Sequence, residues 1–120
     1  MIETHGECIV FIADAQGPAL AGEADALDLL GLTYGTGAEA IVVPVERLAP
    51  EFFDLRTRLA GHFFQKLENY RMRLVVLGDI SGHLAASTAL RDFVRETNAV
   101  GRHFFAPDRA AMLAALARGR

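Results

Sequence analysis

Pro50–Ser81, PEFFDLRTRLAGHFFQKLENYRMRLVVLGDIS, decides the fold. Pro50 suits the first position of a helix, where a missing N–H is no loss. From there Phe52, Leu55, Leu59, Phe63, Leu67 and Tyr70 recur at helical spacing along one face. Phe53, Ala60 and Phe64 widen that face sideways, so it is expected either to pack deeply on the sheet and a neighbouring helix or to bring Phe53 and Phe64 against a second subunit. The spacing predicts one long helix to about Tyr70, a tight turn, a buried strand Met72–Leu77 and a polar loop from Gly78-Asp79. In α/β proteins ligands and partners are usually met at such carboxyl ends of strands. Arg56 falls within the apolar arc, so its guanidinium is expected to find an acid, and Asp79 is the nearest candidate. Asp54 and Arg58, four apart, are expected to pair on the exposed face.

Upstream, Cys8–Ala13 reads as a strand, and Pro18–Ala21 as a short second strand after a turn at Gln16-Gly17, completing a hairpin. Glu23–Leu30 reads as a helix with Leu27 and Leu30 inward, ended by Gly31. Ala40–Val45 is a second buried strand, in which Pro44 marks an edge or a late bend. Downstream, Ser87 caps a helix to about Asn98, Gly101 closes it, Arg102–Ala106 is a short strand, and Asp108 caps a last, alanine-rich helix. Alternation of strand and helix predicts a single α/β domain over residues 1–120, with a mixed, mostly parallel sheet of four or five strands and about four helices.

Composition narrows the function classes. The chain is 52% hydrophobic with a net charge of −3, so a packed core is expected and a global attraction to nucleic acid is not. The four arginines Arg71, Arg73, Arg95 and Arg102 come without an aromatic stacking platform, which makes nucleic-acid binding a poor reading. The single cysteine, Cys8, rules out an internal disulfide and a cysteine-rich metal site, and fits a cytoplasmic setting. Neither a signal peptide at the N-terminus nor a stretch near the ~20 apolar residues of a membrane span is found.

The chemistry-bearing motifs are weak. Gly31-x-x-x-Gly35-x-Gly37 is followed by Ala38-Glu39 and a strand, whereas a phosphate cradle needs a helix and, in a P-loop, a Lys-Ser/Thr pair. His5, His62, His83 and His103 have no ligand spacing, so no metal site is expected. Cys8 reads as a core thiol, and Asp79, Ser81 and His83 as neighbours in a loop rather than a triad. No cofactor is expected. Parallel strands would gather Glu51, Asp54, Asp79 and Ser81 at an acidic carboxyl edge, and Asn69, Arg71, Arg73 and Arg102 at a basic opposite edge.

Phe52–Gly61, Gln65-Lys66, Asn69-Tyr70, Gly78-Asp79, Asp92-Phe93, Glu96 and Asn98 resemble the pattern of a prokaryotic family, domain of unknown function 4180. That resemblance implies a small cytosolic domain without an established activity. Asp54, Gln65, Asn69, Asp79, Glu96 and Asn98 are polar residues typical of it. The element order is also similar to the STAS domains of anti-sigma-factor antagonists. Where those domains carry a phosphorylatable serine, this chain reads Ala49-Pro50-Glu51-Phe52, without a hydroxyl. The expectation is therefore a non-enzymatic regulatory or protein-interaction module. Asp54, Arg56, Gly78, Asp79 and Ser81 would meet a ligand or partner protein, and Phe53 and Phe64 would form a homodimer contact. The alternative is a small enzyme or ligand-binding protein that uses Asp54 and Asp79 as paired carboxylates. A deep pocket lined by Asp54, Arg56 and Asp79 would favour the second; a flat edge with an exposed apolar patch would favour the first.

Overall fold

A computed structural model describes residues 1–118. The chain opens with a hairpin, β1 (Ile2–His5) and β2 (Cys8–Ile12), paired antiparallel with His5 opposite Cys8. Its two-residue turn places Gly6 at φ +64°, where a side chain would be strained. The hairpin partner of β2 is thus Ile2–His5, and not Pro18–Ala21. Of that later segment only Leu20 makes a strand contact, a single bridge to Leu48.

Helix α1 (Glu23–Thr33) follows, then β3 (Ala40–Pro44). α1 buries Ala26, Leu29 and Thr33, and Leu30 packs partly buried against the core as expected, whereas Leu27 is 44% exposed. The Asp25 carboxylate accepts the Ala21 N–H at 2.8 Å and the Gly22 N–H at 3.4 Å, which fixes how the helix starts. Pro44 is the last residue of a central strand, the late bend of the two readings.

The expected long helix from Pro50 is a shorter one. Residues Pro50–Phe53 and Leu55–Thr57 form successive tight turns of 3-10 helix, and only Leu59–Asn69 of this segment is α-helical (α2). The break has local causes. The Asp54 side chain accepts the Arg56 N–H at 3.1 Å, and the Thr57 hydroxyl donates to the carbonyls of Glu51 and Asp54. Side chains here offer the backbone an alternative to i→i+4 bonding. Arg58 then adopts a left-handed conformation, φ +63°, which ends the run before α2 begins.

β4 (Arg73–Leu77) leads into a short helix, α3 (Ser81–Ala86), absent from the sequence reading. α4 (Thr88–Val100) is capped by Ser87, whose hydroxyl accepts the Leu90 N–H at 3.1 Å, and closed by Gly101 at φ +81°. β5 (Phe104–Ala106) and α5 (Arg109–Arg118) complete the described chain, with the Asp108 carboxylate accepting the Ala111 N–H.

The sheet runs in chain order, β1-β2-β3-β4-β5, antiparallel in the first pair and parallel in the others. The chain is therefore an α/β domain on a mixed, mostly parallel sheet. Crossovers of one hand that always step in the same direction leave their helices on one face. Accordingly α1, α2 and α4 bury Leu29, Phe63, Leu67 and Leu90 against Ile41, Val43, Leu74 and Val76. The opposite face, with Val10, Val42, Val75 and Phe104, is covered by Met112 and Leu116 of α5.

Candidate functional site

At the carboxyl edge of the sheet the tight turns of residues 50–57 and helix α3 face each other across a depression of about 460 Å³. Phe53 and His83 form its floor, their rings stacked at 4.2 Å and 15°. Asp54 and Arg56 stand at its rim. Arg56 donates through Nε and Nη2 to the two Asp54 oxygens at 3.0 and 2.9 Å, a bidentate pair. The Arg56 partner is thus Asp54, neither Asp79 nor a distant acid, and Asp54 pairs with Arg56 rather than Arg58. The reason is the break in the helix. Two residues apart in a tight turn, these side chains meet, whereas on a helix they could not. The Arg56 guanidinium, followed by its backbone N–H, holds the Asp54 carboxyl below the usual carboxylate range.

Gly78, Asp79 and Ser81 line a second, smaller depression of about 250 Å³ with Ile80, Leu84 and Pro107. Asp79 accepts the Ser81 N–H at 2.8 Å, and this bond, with one from the Ser81 side chain, holds its carboxyl below the usual range. Gly78 has a structural duty. Its φ is +143°, and a Cβ there would meet the Val45 side chain at 2.9 Å. Asp54 and Asp79 therefore line different depressions, each bound to a local partner. No shared pocket of Asp54, Arg56 and Asp79 exists among the described residues.

Phe53 and Phe64 are 6% and 8% exposed within the single chain, as the deep-packing reading expects, which leaves little of either ring for a second subunit. Phe64 packs on Phe93, His103 and Phe105, and Phe53 on Phe52 and His83. Apolar exposure lies elsewhere, on Leu27 and Leu32 of α1 and on Tyr34 just past it.

The polar residues typical of the resembling family also separate. Gln65 donates to Asn69 at 2.8 Å along the exposed side of α2. Asn98, from α4, accepts the Phe105 N–H at 2.7 Å and donates to the Phe105 carbonyl at 3.3 Å. It thereby closes the outward hydrogen-bonding groups of edge strand β5, a device against unwanted strand pairing. Glu96 is exposed on α4.

The most connected polar group was missed in the sequence. At the opposite edge His103 Nδ1 accepts the Leu74 N–H at 3.0 Å, so Nε2 carries the proton and donates to Glu68 at 2.8 Å. Arg102 Nε also donates to Glu68, at 3.3 Å. Burial pushes the Glu68 carboxyl up, but the bonds from Arg102 and His103 together bring it below the usual range. Glu68 and His103 are thirty-five positions apart, so only the fold brings them together. Among the described residues no three His, Cys, Asp or Glu side chains converge as a metal site would require. No helix among the described residues is long and apolar enough to cross a membrane.

Comparison with curated proteins and with solved structures returns no match. The family model described as Domain of unknown function (DUF4180) does match, over residues 5–116. It spans nearly the whole chain and takes in both depressions and the Glu68–His103 pair. The chain belongs to the DUF4180 family.

Proposed function

We propose that this domain is a non-enzymatic protein-interaction module, regulatory in role. It presents the carboxyl edge of its sheet, residues 50–57 and 78–87, to a protein partner. One observation carries the reading: the two aspartates of that edge are committed to local donors, Asp54 to Arg56 and Asp79 to Ser81. Their carboxyls are held below the usual range, so neither is poised to give up a proton near neutrality. What Asp54 presents instead, with Arg56, is fixed charge at the rim of a shallow floor of Phe53 and His83. Fixed charge of this kind selects partners and steers their approach. The order of elements, similar to that of STAS domains, fits a regulatory role; at the place of the phosphorylatable serine the chain has Ala49-Pro50-Glu51-Phe52.

Affinity capture from the native lysate tests this. The tagged wild type is expected to retain a stoichiometric protein. Asp54→Arg is expected to lose it, and Ala86→Arg, at an exposed position lining the same depression, to lose it while unfolding at the same urea concentration. Retention of the same protein by Asp54→Arg would overturn the site. Turnover of a small molecule that depends on Asp54 or Asp79 would overturn the non-enzymatic reading.

A further inference from the structure

The smaller depression of the carboxyl edge, about 250 Å³, lies at the ends of β4 and β5, beside α3 and α4. Ile80, Leu84, Val94, Phe105, Ala106 and Pro107 give it apolar walls. Ile80, Val94 and Phe105 are also part of the packed core, so these walls are in place before anything enters. The volume falls below the ~300–1,000 Å³ of small-molecule sites and suits one inserted side chain.

The charge around it is of one sign. Among the described residues that line it Asp79 is acidic, and none is Lys, Arg or His. Asp79 is exposed, and its donors, the Ser81 N–H and hydroxyl, are neutral, so they leave its charge uncancelled. The adjoining chain adds acids. Glu46 follows Val45, which packs beside Gly78, and Asp108 follows Pro107; both are exposed. None of Glu46, Asp79 and Asp108 makes an ion pair among the described residues. Arg91 of α4 does not line the depression, and its guanidinium donates to the Leu84 carbonyl and the Thr88 hydroxyl. An apolar socket with an uncompensated acid at its rim fits an apolar anchor that has a base beside it in its own chain.

We infer that the partner protein seats one leucine-sized side chain in this depression, with a lysine or arginine next to it in sequence set against Asp79. The inference rests on the carboxyl-edge reading, whose residues 78–87 supply Gly78, Asp79, Ile80, Ser81 and Leu84 to the site, and it names the partner's chemistry there.

The acetylated and amidated tripeptide Arg-Leu-Arg is the probe, followed by amide chemical shifts of the labelled protein at low salt. Saturable shifts are expected at residues 78–84 and 105–108. Arg-Gly-Arg, without the anchor, is expected to bind at least roughly tenfold more weakly, as loss of a buried leucine side chain implies. Glu-Leu-Glu is expected to be several-fold weaker than Arg-Leu-Arg, with the gap closing at about 1 M salt. Asp79→Asn keeps an acceptor for the Ser81 N–H and removes the charge, so it should narrow that gap. Leu84→Trp fills the depression from α3 and should remove binding while the spectrum stays dispersed. The inference is overturned by Arg-Gly-Arg or Glu-Leu-Glu binding as tightly as Arg-Leu-Arg, by an unchanged gap in Asp79→Asn, or by undiminished binding to Leu84→Trp. Absence of any saturable shift up to about 2 mM would overturn it too. In the lysate capture Leu84→Trp is expected to lose the protein that the wild type retains. A protein lost by Ala86→Arg and kept by Leu84→Trp overturns this inference alone. A wild type that retains no protein overturns the carboxyl-edge reading and this inference with it.

Discussion

His103 shows how much one side chain can decide. Its Nδ1 takes the Leu74 N–H just before β5 begins, so an imidazole carries the sheet's hydrogen bonding past the end of the strand. That bond needs an unprotonated Nδ1. Burial pushes the His103 pKa below its ordinary value, Arg102 and Arg73 push the same way, and Glu68 opposes them. Folding therefore favours the neutral ring, and the unfolded chain binds the proton more readily. The resulting stability is full above the ordinary histidine pKa of about 6.5 and is lost as pH falls through the lowered folded value. Urea unfolding at pH 7.5 and 5.5 checks this: the wild type should lose more stability across the interval than His103→Asn, and equal losses would remove the claim. Asn98 makes a second residue-scale prediction. Asn98→Ala leaves the Phe105 N–H and carbonyl without their partner. A loss of about 1–3 kcal/mol in urea unfolding is expected, with concentration-dependent light scattering as the bared edge pairs. In the sequence both residues were visible only as polar positions. Their partners come from other elements, Leu74 and Glu68 for His103 and β5 for Asn98, and spacing does not reveal such meetings.

Local signals that agree with each other were the legible ones. Ser87 and Gly101 bound α4 because one hydroxyl and one left-handed glycine do what caps do. The segment 50–58 was illegible for the opposite reason. Its apolar spacing continues that of α2, and no Gly or internal Pro marks the break. The break lies in the Asp54 and Thr57 bonds to the backbone and in the left-handed Arg58. With the helix shortened, Arg56 leaves the apolar arc and becomes the rim partner of Asp54. The β4–α3 junction makes the prediction at this scale. Gly78 turns the chain at φ +143° against Val45, so Gly78→Ala should cost about 1–3 kcal/mol in thermal or urea unfolding. An unchanged midpoint would show that Val45 gives way and that Gly78 is free for another role.

Over the whole molecule, alternation of strand and helix was enough to read a mostly parallel sheet, since parallel strands need crossovers. It did not show which side chains of a wide apolar face are spent inside the chain. On a helix drawn alone Phe53 and Phe64 suit deep packing or a subunit contact; Phe64 is core once α4 and β5 pack against it, and Phe53 once His83 of α3 stacks on it. Phe64→Ala should therefore lower unfolding stability by about 3–5 kcal/mol, as for other buried aromatics, with no change in the mass seen by light scattering. A changed mass at unchanged stability would return that ring to an interface. The proposed protein partner is met at the carboxyl edge of the sheet. The amide spectrum of the labelled protein in clarified native lysate tests this most directly. Signals of residues 50–57 and 78–87 should broaden selectively, and Asp54→Arg should restore them. A lysate spectrum identical to that in buffer, or broadening centred on any other surface, would contradict the proposed interaction site.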